Sequence, residues 1–148
     1  VDFGGWGLNL TVEDSARCGQ LYLQKGLWKG ARVLPEGWIA EATAKHSENR
    51  DPKNPDPASD WQQGYGYQFW RCKRGFYRGD GAFGQFCVVM PEKDAVLAVT
   101  SGTPDMQGIL DLVWDRLLPG LADSVLKPDP EGEAELASLI GRLALRVP

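Results

Sequence analysis

The sequence predicts an α+β fold, on the strength of its order and of two kinds of apolar patterning. Helix-period segments come first, strand-like runs rich in Val, Phe and Tyr occupy the middle, and a helix-period segment returns after residue 104. The strand runs at 85–90 and 95–100 are apolar at nearly every position rather than alternately, which is how strands buried on both faces read. An antiparallel sheet covered by helices is therefore expected, and no internal repeat interrupts it.

The first helix should start at Thr11, an N-cap with Asp14 placed as in a capping box, and Gly26 should close it as the left-handed residue after its end. A turn centred on Lys29-Gly30 follows. Pro35 then suits the first turn of a short helix carrying Trp38, Ile39 and Ala42. From 45 to 60 the apolar period disappears among Pro52, Pro55, Pro57 and polar residues, so this stretch reads as a long surface loop. Three strands are expected next, at 65–70, 85–90 and 95–100, with the glycine-rich passage 77–85 opening the second. Asp105 should cap a helix whose stripe is Met106, Ile109, Leu110, Val113 and Leu117. After Pro119-Gly120 the chain reads as a linker, and Asp129-Pro130 opens an amphipathic helix with Leu136, Leu139, Ile140 and Leu143 on its inner face. The expected division is thus 1–120 for the main domain and 121–148 for linker and final helix.

Composition narrows the function classes. The 148 residues hold 16 Lys and Arg against 20 Asp and Glu, a net charge of −4, which argues against a general nucleic-acid binder. Hydrophobic residues at 43% with charged ones at 24% place the chain among folded domains. No apolar run is long enough to span a bilayer, and no signal peptide is visible. Val1 stands where an initiator Met would, so the chain reads as part of a longer protein. The 3 cysteines, Cys18, Cys72 and Cys87, form an odd set without zinc-knuckle spacing. Free thiols in a reducing, cytoplasmic compartment are expected, with neither metal nor cofactor.

Three passages could carry chemistry. Gly79, Gly81 and Gly84 remove side chains where a buried strand would want them, which marks either a tight turn or the close approach of a ligand. Arg71, Lys73, Arg74 and Arg78 could clamp an anion, and Arg78 beside the glycines is the strongest candidate of the group. The aromatic run Trp61, Tyr65, Tyr67, Phe69, Trp70, Phe76 and Tyr77 reads as core. His46 is the only histidine, so a Ser-His-Asp triad would have to use it. No serine is read as standing in a Ser-x-x-Lys spacing or as paired with a base, and the chain alone is expected to be inactive.

In order and spacing these passages resemble the C-terminal half of the serine β-lactamase and penicillin-binding-protein-like hydrolases. The residues that carry the resemblance are Gly5-Trp6-Gly7-Leu8, the stretch from Thr11 through Arg17, Gly37-Trp38-Ile39, Gly64-Tyr65-Gly66-Tyr67-Gln68-Phe69-Trp70, Gly79-Asp80-Gly81-Ala82-Phe83-Gly84-Gln85 and Pro91-Glu92-Lys93-Asp94. Together they cover the chain from Phe3 to about Leu118. The resemblance implies a β-lactamase/transpeptidase-like fold, of which this chain is a partial domain. It also implies a parent whose Ser-x-x-Lys helix and Tyr-x-Asn loop lie upstream. The Lys-Thr-Gly-like strand would fall at Gly79-Asp80-Gly81, with Gly79 where Lys or His usually stands. By the same resemblance Gly81 admits the substrate and the Ala82 N–H is an oxyanion donor, while Arg78, Gly79, Asp80 and Gln85 bind substrate. The expected function is acyl transfer on an ester, amide or β-lactam-like small molecule, with this chain as one wall of the site. The alternative is a non-catalytic binding module of the same fold. The expected partners are a small-molecule substrate and the rest of the parent chain. A fragment missing its neighbouring elements should also expose apolar surface and pair with itself.

Overall fold

The computed structural model describes residue 5 and residues 7–144, so Trp6 and the remaining terminal residues lie outside the described part. Helix α1 (Val12–Leu23) begins as its cap requires: the Thr11 Oγ1 accepts the Asp14 N–H at 3.1 Å. It ends one residue earlier than the glycine suggested. Lys25 (φ 53°) occupies the first left-handed position, its N–H donating to the Tyr22 carbonyl at 3.0 Å, and the Gly26 N–H reaches the Leu21 carbonyl at 2.9 Å. That pair of bonds is a Schellman closure with lysine at the left-handed site. The hairpin of β1 (Leu27–Trp28) and β2 (Ala31–Arg32) turns at Lys29 and Gly30, both with positive φ, the twist that suits adjoining antiparallel strands. Helix α2 (Trp38–Thr43) starts later than Pro35, because Gly37 takes φ 81° and separates Pro35 from the helical backbone. Ile39 and Ala42 are buried as expected, whereas Trp38 is largely exposed.

Residues 45–60 form no helix or strand, and the segment is held from outside itself. The Gln62 Oε1 accepts the N–H groups of Asp51 and Asp56, both at 3.1 Å, while its Nε2 donates to the Asn54 carbonyl at 3.1 Å. Beyond it lies an antiparallel sheet of β3 (Trp70–Arg71), β4 (Tyr77–Gly81), β5 (Gln85–Met90) and β6 (Ala95–Val99), in that spatial order. Two expectations change here. The strand at 65–70 shrinks to its end, because Gln68 takes φ 63° and the Gly66 N–H turns back to the Phe69 carbonyl at 2.8 Å. The passage 77–81 is a strand of its own, paired with β5 through Gly79↔Cys87 and Arg78↔Val88. The sheet therefore has four strands, not three.

Alternation along β5 divides the two faces. Phe86, Val88 and Met90 are buried against Leu110, Val113 and Trp114, while Cys87 faces α1. The helix bearing Leu110 is α3 (Met106–Leu112), and the Asp105 carboxylate caps it by accepting the Gly108 N–H at 2.9 Å. A π-helical turn at Val113–Leu117 then inserts an extra residue. That insertion rotates the stripe, so Leu117 is exposed and Leu118 packs on the core instead. The last helix, α4 (Pro130–Arg142), is capped by Asp129 as expected. Its stripe has no inner side: Leu136, Leu139, Ile140 and Leu143 are all exposed. No helix among the described residues is long and apolar enough to cross a membrane.

Candidate functional site

An open cavity of about 870 Å³ lies between the α1 face of the sheet and the chain leading into α1. That volume is typical of small-molecule sites. Its floor is Gly79 and Gly81 of β4 with Cys87 of β5. One wall is Ser15, Cys18, Gly19 and Tyr22 of α1, the other Gln68 and Phe69, and Leu8 and Leu10 form the rim. Gly19 is what lets α1 come this close, since a Cβ there would sit 2.5 Å from Val96 Cγ1 and 2.7 Å from Cys87 Sγ.

Of the residues singled out in the sequence, Gly79, Asp80, Gly81, Ala82 and Gln85 all line this cavity. Arg78 does not. It lies fully buried on the opposite face of the sheet, its Nε donating to Asp80 Oδ2 at 2.9 Å and its Nη1 to the Asp60 carbonyl at 3.1 Å. The guanidinium centre stands 4.6 Å from the Trp61 ring and 5.6 Å from Trp70. The aromatic run is thus partly a cage for one cation. The reason is parity: consecutive strand residues face opposite sides, so a substrate that meets Gly79 cannot meet Arg78. Burial raises the Asp80 carboxyl above its ordinary range, and the Arg78 charge opposes that shift. Arg71, another of the basic group, donates from Nη1 to the Thr43 carbonyl at 2.7 Å and is likewise structural.

No spacing or motif pointed to Asp60, a lone acid at the end of a polar loop. It is fully buried, and its Oδ2 accepts the Trp114 Nε1–H at 2.7 Å while its Oδ1 accepts the Lys73 N–H at 3.2 Å. It ties the long loop, the β3–β4 connection and α3 to one point beneath β4. The expectation that no serine stands in a Ser-x-x-Lys spacing is incorrect, since Ser124-Val125-Leu126-Lys127 has it. Both end residues are exposed in a segment without helix, and neither lines the cavity. A helical turn is what brings such a pair onto one face, and that is missing here. His46 is equally remote, stacked at 4.2 Å on Tyr67 with its Nε2 2.7 Å from the Glu41 carbonyl. Among the described residues no cluster of His, Cys, Asp or Glu could hold a metal ion.

The reversal between β4 and β5 is fixed with unusual firmness. Phe83 (φ 64°) and Gly84 (φ 85°) carry the turn, and a Cβ on Gly84 would lie 2.5 Å from both Ile109 Cδ1 and Ser101 Oγ. The Phe83 carbonyl accepts the Ser101 hydroxyl and the Thr103 N–H, the latter at 3.2 Å, and the Gln85 amide donates to the Ser101 carbonyl. Ala82, just ahead of this clamp, is exposed on the cavity side, and its N–H has no acceptor among the described residues. A backbone donor without a partner among the described residues thus stands beside a glycine floor.

No protein-family model matches the chain. It is similar to a 6-aminohexanoate-dimer hydrolase from Paenarthrobacter ureafaciens, with 30% identity over 105 residues. The matched segment takes in 70% of this chain and 27% of that protein, so the match spans about a quarter of that protein's length.

Proposed function

We propose that this chain forms one wall of an acyl-transfer site in a serine hydrolase of the β-lactamase/penicillin-binding-protein-like kind, with the nucleophile supplied by residues outside these 148. The observation that carries the reading is the open N–H of Ala82, clamped in place at the edge of the cavity. When a serine hydroxyl adds to an ester or amide carbonyl, negative charge develops on the carbonyl oxygen. A donor already aimed at that oxygen stabilises the charge without reorganising. Ala82 supplies one such donor, and the nucleophile's own N–H supplies the second. Gly81 keeps the approach clear, since its backbone carries no side chain between the carbonyl and Ala82. Collapse of the intermediate expels the alcohol or amine, and water then releases the acyl group by the same route.

The likeness to a hydrolase named for a 6-aminohexanoate dimer supports a hydrolytic reaction. The test is intact-mass analysis after incubation with a fluorophosphonate probe, comparing the polypeptide encoded by the whole gene with this chain alone. A single covalent adduct on the former and none on the latter is expected. No adduct on either overturns the proposal and leaves a binding module of the same fold.

A further inference from the structure

We infer that the cavity receives an uncharged, apolar acyl chain and discriminates against one that ends in a carboxylate. The inference rests on the acyl-transfer reading only for which end of the ligand reaches Ala82. It follows from a charge inventory of the wall. Among the described lining residues there is no Lys, Arg or His, and the one carboxylate, that of Asp80, is already bonded to Arg78 and only 6% exposed. Burial also pushes the Cys87 thiol and the Tyr22 phenol of the wall upward, which favours their neutral forms.

Several polar groups of the wall are committed within the protein. The Cys87 thiol donates to the Ser15 carbonyl at 3.3 Å, the Thr11 hydroxyl serves the α1 cap, and the Gln85 amide holds Ser101. What remains for a ligand is the apolar surface of Leu8, Leu10, Phe69 and Val99, the bare floor at Gly79, and the side chains of Ser15, Cys18, Gln68 and Thr100, none of them a cation. A carboxylate placed there would lose its water with no cation in return, whereas a methylene chain or an amide loses little. Gly79 is also the place where this property can be reversed. Its φ is unstrained, and a Cβ built on it meets only Cys87 Cβ, at 3.8 Å, so a side chain fits and enters the cavity.

The experiment is a titration of the isotopically labelled chain with hexanamide and, separately, with adipamate (the monoamide of adipate, with a carboxylate at the far end of the same chain) at neutral pH, following the amide resonances of Gly79, Gly81 and Ala82. Hexanamide is expected to shift these resonances and to bind about tenfold or more tighter than adipamate, the penalty for stripping water from an unpaired carboxylate. Gly79→Lys is expected to invert the order. As a second measurement, the gene-length polypeptide should cleave 4-nitrophenyl hexanoate with a higher kcat/KM than the 4-nitrophenyl half-ester of adipate. Equal or tighter binding of adipamate, no shift with either ligand, or a preference for the half-ester would each overturn the inference. Hexanamide binding together with an unlabelled parent would uphold it while overturning the acyl-transfer proposal.

Discussion

At the scale of single residues, the arrangement turns on Arg78 and the groups around it. A buried cation with an ion-pair partner at 2.9 Å and an aromatic ring 4.6 Å away is part of the framework under β4, not part of the cavity. Replacing it by Met should leave the Asp80 carboxylate buried without compensation and cost about 3–5 kcal/mol, read as a lower urea midpoint. The Arg78→Met, Asp80→Asn double variant should recover part of that loss, because the orphaned charge is then gone. The cysteines give a second test. Cys72 is buried and its thiol is pushed up to about 11, chiefly by desolvation, whereas Cys18 is exposed. Iodoacetamide at mildly alkaline pH should therefore modify Cys18 first, as peptide mapping would show, and equal labelling of Cys72 would contradict the packing. The sign for stability follows from the same shift. The folded state favours the neutral thiol, so this contribution is present below the ordinary thiol range and is lost as pH climbs toward about 11.

At the scale of elements, the sequence was legible where a local rule has one structural solution. Thr11 and Asp105 cap their helices, and Lys29-Gly30 turns its hairpin, because each involves only neighbours a few residues apart. It was not legible where partners come from far away. Asp60 gains its meaning from Trp114, 54 residues on, and Arg78 from Trp61 and Trp70, which no spacing rule connects. The π-helical turn moved Leu118 into the place expected for Leu117 because one inserted residue defeats a strict helical period. For the site, the glycine passage was readable as a segment, but the role of each residue depended on strand parity, which a hairpin read as one strand conceals. Two glycines carry the prediction here. Ala usually stabilises a helix interior relative to Gly, yet Gly19→Ala should destabilise by about 1–3 kcal/mol, since its Cβ would press on Val96 and Cys87. Gly84→Ala combines a positive φ with a similar collision and should cost at least as much, seen as a lower thermal midpoint.

At the scale of the whole molecule, apolar surface is distributed unevenly. The core between the sheet and α3 is closed around Val88, Met90 and Leu110, each at most 1% exposed. By contrast Leu8 at the cavity rim is 81% exposed, and the α4 stripe is open along its length. Such surface favours association, so the mass of the chain by light scattering should rise with concentration. A constant monomeric mass over the accessible range would count against it. The same unevenness fits a wall whose counterpart covers the cavity from the α1 side, which is the arrangement the acyl-transfer proposal requires.

The central claim is that the Ala82 N–H stabilises a developing oxyanion. The most direct measurement is the steady-state kinetics of the gene-length polypeptide carrying Ala82→Pro, which removes that donor, beside Ala82→Gly, which keeps it. The account predicts that the proline variant loses kcat on the order of a hundredfold with KM little changed, and that the glycine variant stays close to the parent. An unchanged kcat in a folded Ala82→Pro variant would contradict it.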